Sequence, residues 1–231
     1  MGTDLKKLAV ALTGSHGVGK THIVTELTKR AVDHGVGVVV VESPTRHVKS
    51  LGFGNNLDLD YRTEIMCLAL RIERQRVALQ MVKDSQNFEK FLILADRCAL
   101  DELSYTSEAT TRPASTNVVS TLIGGEGDKV HKLSQLYSLF YDFVVDDLFE
   151  FWDWVFYKPP HPDHLPEADG DRLADRLYQL DVDNQMRFHF EKARLLDNLP
   201  RSKFERLNTD RDVAVEQIWD NITKELEIDN R

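Results

Sequence analysis

The chain has almost no cysteine: two in 231 residues, Cys67 and Cys98. A disulfide framework or a multi-cysteine metal site needs more thiols at closer spacing, so both are excluded and a reducing compartment fits. No apolar run approaches the roughly 20 residues that a membrane-spanning helix needs. The opening "MGTDLKK" leads into a strand rather than an apolar signal segment, and its sixth position is not the Ser or Thr that myristoylation asks for. The expectation is a cytoplasmic protein with no membrane partner. Positive charge is also in deficit, with 29 Lys and Arg against 38 Asp and Glu, a net charge of −9. Such a molecule repels nucleic acid as a whole, and a DNA partner would need a local basic groove. No internal repeat recurs.

What the sequence does have is a rhythm. Short apolar runs, "LAVALT", "VGVVVV", "FLILAD", "WVFYK" and "KFERLN", alternate with helical stretches. Alternation of that kind builds βαβ units with right-handed crossovers, hence an α/β fold with a parallel sheet covered on both faces. The runs at 36–41 and 91–95 read as central strands. Between them "EIMCLALRIERQRVALQMV" places Ile65, Leu68, Ala69, Ile72 and Leu79 at helical spacing, the face expected to be buried. A second helix is expected over about 130–150, from Leu133, Leu136, Leu139, Phe140, Phe143 and Val144. Residues 106–128 are rich in Ser, Thr and Gly without a period, and read as a mobile insertion. The proline-punctuated stretch that follows the fourth strand releases into a helix starting near Gly170, giving a lid region at about 159–180. The length suits a single domain over 1–231.

The densest chemistry lies in "LAVALTGSHGVGKTH". Gly14-x-x-x-x-Gly19-Lys20-Thr21 matches the phosphate-binding loop, the Walker A pattern, and stands between an apolar strand and a helical stretch, as that pattern requires. Glycine lets a bound group approach the main chain, and successive N–H groups at a helix N-terminus make an anion cradle. Gly14, Ser15, His16, Gly17, Val18, Gly19, Lys20 and Thr21 are therefore the expected nucleotide-binding residues. Lys20 would reach the β- and γ-phosphates, the Thr21 hydroxyl would ligate magnesium, and His16 would contribute only its N–H.

Further groups fall at the same sheet edge. Asp96 ends the third strand, where ligands of open α/β sheets bind, and is the expected second magnesium ligand; Arg97 beside it would project toward substrate. Glu42 and Arg46 follow the second strand, a carboxylate able to accept a hydroxyl proton and a cation able to orient an acceptor. Arg172 and Arg176, one turn apart on the expected lid helix, could clamp the phosphate in flight. Each has a bland alternative: a helix cap for Asp96, a surface pair for Glu42 and Arg46, a solvated face with Asp171 and Asp175 for the two arginines. Asp210, in "LNTDRD", reads as a cap for the last helix, and the Asn-Lys-x-Asp pattern that reads guanine is missing.

Taken together, "GSHGVGKT", "VESPTRHV", "ADRCALDELSY" and "ADGDRLADRLYQLD" resemble, in order and spacing, the P-loop nucleoside and nucleotide kinases, in particular the ribosylnicotinamide kinase and thymidylate kinase-like group. The resemblance implies a three-layer fold with a five-stranded parallel sheet of order 2-3-1-4-5 and an Arg-bearing lid. It implies ATP and Mg2+ held by Gly14 to Thr21 with Asp96, and an acceptor placed between Glu42, Arg46, Arg97 and the long helix. The activity implied is transfer of a γ-phosphoryl group to a nucleoside, a nucleotide or a related small molecule, a step of nucleotide metabolism. A hydroxymethylated pyrimidine within DNA is an alternative acceptor that the net charge disfavours, and a nucleotide-dependent switch ATPase is a second alternative. The oligomeric state stays open, a homodimer included.

Overall fold

The computed structural model describes residues 5–54, 59–111, 125–163, 175–195 and 203–228. Its frame is a sheet of β1 (Lys6–Thr13), β2 (Gly37–Val41), β3 (Lys90–Asp96), β4 (Trp154–Tyr157) and β5 (Lys203–Arg206), in the order β2-β3-β1-β4-β5. Every pairing is parallel. Side chains alternate across a strand, and here the alternation divides two cores. Ala9 and Ala11 of β1 with Phe91, Ile93 and Ala95 of β3 face one, while Leu8, Val10, Leu12, Leu92 and Leu94 face the other.

Helices close both faces and make three layers. α1 (Lys20–Asp33) and α7 (Arg211–Leu226) pack on the second core through Ile23, Leu27, Ile218 and Ile222. α3 (Tyr61–Asp84), α4 (Ala99–Thr111), α5 (Gly125–Phe151) and α6 (Arg176–Arg194) cover the first through Leu68, Leu103, Phe140 and Val182, and α2 (Thr45–Ser50) is a short connector after β2. Order, parallelism and layering agree with the fold class that the resemblance implies.

Several local expectations need correction. The run at 36–41 is an edge strand, with Val40 40% exposed. Its valine content reflects helices on both faces: Val39 and Val41 join one core and Val38 packs on the other. On α3 the buried face is only partly the expected one: Leu68 is buried and Ile72 and Leu79 pack on the core, but Ile65 is 43% exposed and Ala69 is exposed, whereas Glu64, Arg71 and Gln75 are buried beside Cys67, Ala78 and Val82. Charge can occupy that face because Arg71 finds an acid across the helix pair, on α4. On α5, Leu133, Leu136, Phe140 and Val144 are buried as expected, but Leu139 is 74% exposed and Phe143 is also exposed.

The segment read as an insertion at 106–128 is helical at both ends, with residues 106–111 finishing α4 and 125–128 starting α5; only 112–124 lies outside the described residues. Its Ser and Thr residues extend the helix by bonding back to it: the Thr110 and Thr111 hydroxyls donate to the Ser107 carbonyl. The helix expected from Gly170 begins at Arg176, because Asp175 is an extended N-cap whose carboxylate accepts from the Leu177 and Tyr178 amides. An extended cap cannot continue a helix backwards, so the helix that carries Arg176 starts after Asp175. Arg172 itself, with most of the expected lid, lies outside the described residues.

Candidate active site

β1 leaves the middle of the sheet with a strand on either side, β3 and β4. That is the switch point at which open α/β sheets bind ligands, beyond the carboxyl ends of the strands. The chain from Gly14 to Gly19 turns there with φ of +149° at Gly14, +74° at Gly17 and +89° at Gly19. A Cβ on Gly14 would collide with the Lys158 carbonyl, and one on Gly19 would lie 2.7 Å from Cδ of Arg211. Glycine is required at Gly14 by conformation and by space, and at Gly19 by conformation, since the Arg211 side chain can shift.

Lys20 lies over this loop, and its Nζ donates to the carbonyls of Gly14 (2.6 Å) and Ser15 (2.8 Å). The Ser15 hydroxyl is buried without a hydrogen-bond partner among the described residues. α1 starts from Gly19 with no side-chain cap and no acid in its first turn. By contrast, α3, α6 and α7 each begin with an aspartate that accepts two backbone amides. Uncapped amides, an orphaned hydroxyl and a lysine at a helix N-terminus fit a bound phosphate chain.

The Thr21 hydroxyl donates to Oδ2 of Asp96 at 2.5 Å, so strand β3 and helix α1 present their oxygens together. Among the described residues no group of three or more His, Cys, Asp or Glu side chains is arranged to hold a metal. One hydroxyl and one carboxylate suit magnesium, which takes few protein oxygens and keeps water and phosphate as its other ligands.

His16 does more than offer an amide. Its ring is buried and stacked on Tyr178, with centroids 5.4 Å apart, and its carbonyl accepts from Nε2 of Gln179 at 2.6 Å. Arg176 in turn donates to Oε1 of Gln179 at 2.6 Å and to the His161 carbonyl at 3.2 Å. Arg176 thus braces the first turn of α6 against the loop at 159–163, and it is not among the residues lining the cleft.

From the glycine loop a cleft of about 1090 Å³ runs to a recess bounded by α3 and α4. Glu42, Arg46, Asp96 and Arg97 all line it. Glu42 and Arg46 are exposed at its rim, and the Glu42 carbonyl accepts from Arg74 on α3 at 2.9 Å. Arg97 has φ of +95°, strained for a residue with a Cβ, and its guanidinium donates to Asp101 at 3.0 Å and lies 5.4 Å from the Tyr105 ring centre. Behind it the buried Arg71 donates to both Glu102 oxygens, at 2.9 Å from Nε, and to the Arg97 carbonyl at 2.8 Å. Glu64 and Cys67 of α3 complete the wall.

Sequence reasoning missed Glu64, Arg71, Glu102, Tyr105 and Gln179. A signal for the first two existed: Glu64, Cys67, Arg71, Gln75, Ala78 and Val82 recur at helical spacing, a face discounted because it carries charge. Asp210 is the N-cap expected, accepting from the Asp212 and Val213 amides.

No protein-family profile matches the chain, and no curated protein sequence does. Solved structures do match. A thymidylate kinase from Candida albicans aligns with a TM-score of 0.63 at 14% identity, over 98% of this chain and 96% of that one. The NadR protein in complex with NR aligns with a TM-score of 0.59 at 15% identity, over 97% of this chain and 52% of that one, so this chain spans about half of NadR. The fold and the glycine loop together define the class: this is a three-layer P-loop fold. Within that class, its sheet and helices are those it shares with thymidylate kinase and NadR.

Proposed function

We propose that the chain is an ATP-dependent phosphotransferase, a single P-loop kinase domain that moves the γ-phosphoryl group to a nucleoside, a nucleotide or a related small acceptor. The observation that carries this reading is the continuity of the cleft: the glycine loop and the charged recess between α3 and α4 open into one space, so a donor and an acceptor can meet end to end. The fold shared with a thymidylate kinase supports it.

The roles follow from placement. Amides from Gly14 to Thr21 bind the donor's phosphates, and Lys20 moves its ammonium from the loop carbonyls to the phosphate oxygens. Thr21 and Asp96 would hold magnesium, which would supply positive charge beside the phosphates. Glu42 accepts the acceptor's proton, while Arg46 and Arg97 orient the acceptor. Arg176 acts through the turn that it braces, holding Gln179 against the His16 carbonyl of the glycine loop. Phosphoryl transfer depends on such preorganised charge, since the protein does little covalent chemistry.

The reading is tested by following γ-labelled phosphate from ATP to nucleosides and their monophosphates. Lys20→Ala is expected to lower turnover by about a hundredfold or more. A variant that turns over like the wild type contradicts the role.

A further inference from the structure

The recess between α3 and α4 holds three carboxyl groups, and two of them have cations of their own: Glu102 is paired with Arg71 and Asp101 with Arg97. The third, Glu64, is different. It is 3% exposed and lines the cleft. Its Oε2 has no hydrogen-bond partner among the described residues, and the Thr106 hydroxyl of α4, behind it and outside the cleft lining, favours the charged form of the carboxyl. Buried polar atoms are rarely left in that condition, and a carboxyl oxygen left so in the wall of a cleft points to a ligand that satisfies it.

We infer that Glu64, with Thr106 behind it, is the specificity-determining group of the acceptor site, and that it reads the hydrogen-bonding edge of an uncharged nitrogen heterocycle such as the base of a nucleoside. The inference rests on the phosphotransferase reading, which gives the recess its acceptor. Burial holds the Glu64 carboxyl well above the usual carboxylate range, and the negative charge of Glu102 pushes it further; Thr106, Arg71 and Arg97 pull the other way without prevailing. Cys67, also facing it, is a buried thiol that stays protonated. Burial and Glu102 together favour the uncharged acid at Glu64.

An uncharged carboxyl sets an O–H donor beside a C=O acceptor, whereas a carboxylate only accepts. A ring nitrogen and its exocyclic neighbour on a nucleobase offer one donor and one acceptor in the same plane, so two bonds form without burying a net charge. A cationic ring would instead draw Glu64 into its ionised form and call for a carboxylate.

The test is calorimetric titration of the full chain, with magnesium and a non-hydrolysable ATP analogue bound, using thymidine, uridine, cytidine, adenosine and guanosine. At least one nucleoside is expected to bind. Glu64→Ala should weaken it by about 10- to 100-fold, and Glu64→Gln, which keeps an uncharged donor–acceptor pair, by no more than about threefold. Wild-type affinity should fall as pH rises through the Glu64 titration, and the Gln variant should be flat from about pH 5 to about pH 9. The inference is overturned if no nucleoside binds, if Gln weakens binding as much as Ala, or if binding tightens with rising pH. Loss of analogue binding, or analogue binding indifferent to Lys20→Ala, would count against the phosphotransferase reading instead.

Discussion

At Gly14 the main chain leaves no choice of residue. The φ of +149° and the Lys158 carbonyl behind it both oppose a Cβ, so Gly14→Ala is expected to cost about 2 kcal/mol or more, read as a lowered denaturation midpoint. The Arg71–Glu102 pair is a different case, since its two charges are buried and satisfy each other, with the Arg97 carbonyl as a further acceptor. Arg71→Ala strands an acid in the core and is expected to destabilise by about 3–5 kcal/mol. His189 carries the clearest pH dependence. It is buried among Tyr137 and Phe188 with neither ring nitrogen bonded, and desolvation, helped by Lys192, lowers its pKa to about 4. Unfolded, it titrates near 6.5, so the folded state is fully favoured above that value and loses stability as pH falls toward 4, by up to about 3 kcal/mol. Denaturant melts of His189→Phe should show a shallower loss over that window; an unchanged slope would contradict the assignment. At this scale the glycine loop was legible because its chemistry is local. Glu64 and Arg71 were not, because a charge on a helix reads as solvent-facing until its partner on another helix is known.

Helix starts sort the elements by purpose. α3, α6 and α7 carry aspartate caps at Asp60, Asp175 and Asp210, whereas α1 opens on a glycine and leaves its amides for a ligand. Asp175 has two tasks, since the turn it caps holds Gln179 against the His16 carbonyl. Asp175→Ala is expected to cost about 1 kcal/mol of stability and to raise KM for ATP, as the turn bracing the loop frays; a melting shift without a KM change would separate the cap from the brace. Element types were legible from periodicity, and boundaries less so. A Ser and Thr segment continues α4 by bonding to its own backbone, and an Asp starts α6 later than its apolar pattern suggests. Composition signals neither by itself.

For the molecule as a whole, one sheet between two helical layers brings five strand ends to a common edge, and the cleft lies along it. The strand order could be anticipated only through family resemblance, because strand lengths and composition do not say which strand is outermost, as the valine-rich edge strand β2 demonstrates. The net charge of −9 bears on the acceptor: a polymeric DNA acceptor would show affinity falling steeply with salt. The central claim is that phosphate is handed on rather than released to water. The direct measurement is product analysis after incubation of the full chain with γ-labelled ATP, magnesium and an acceptor panel of nucleosides, monophosphates and hydroxymethyl-pyrimidine DNA. Label is expected in a nucleoside or nucleotide product, in excess over free phosphate and dependent on Lys20. Label found only as inorganic phosphate, whatever the acceptor, would contradict the account.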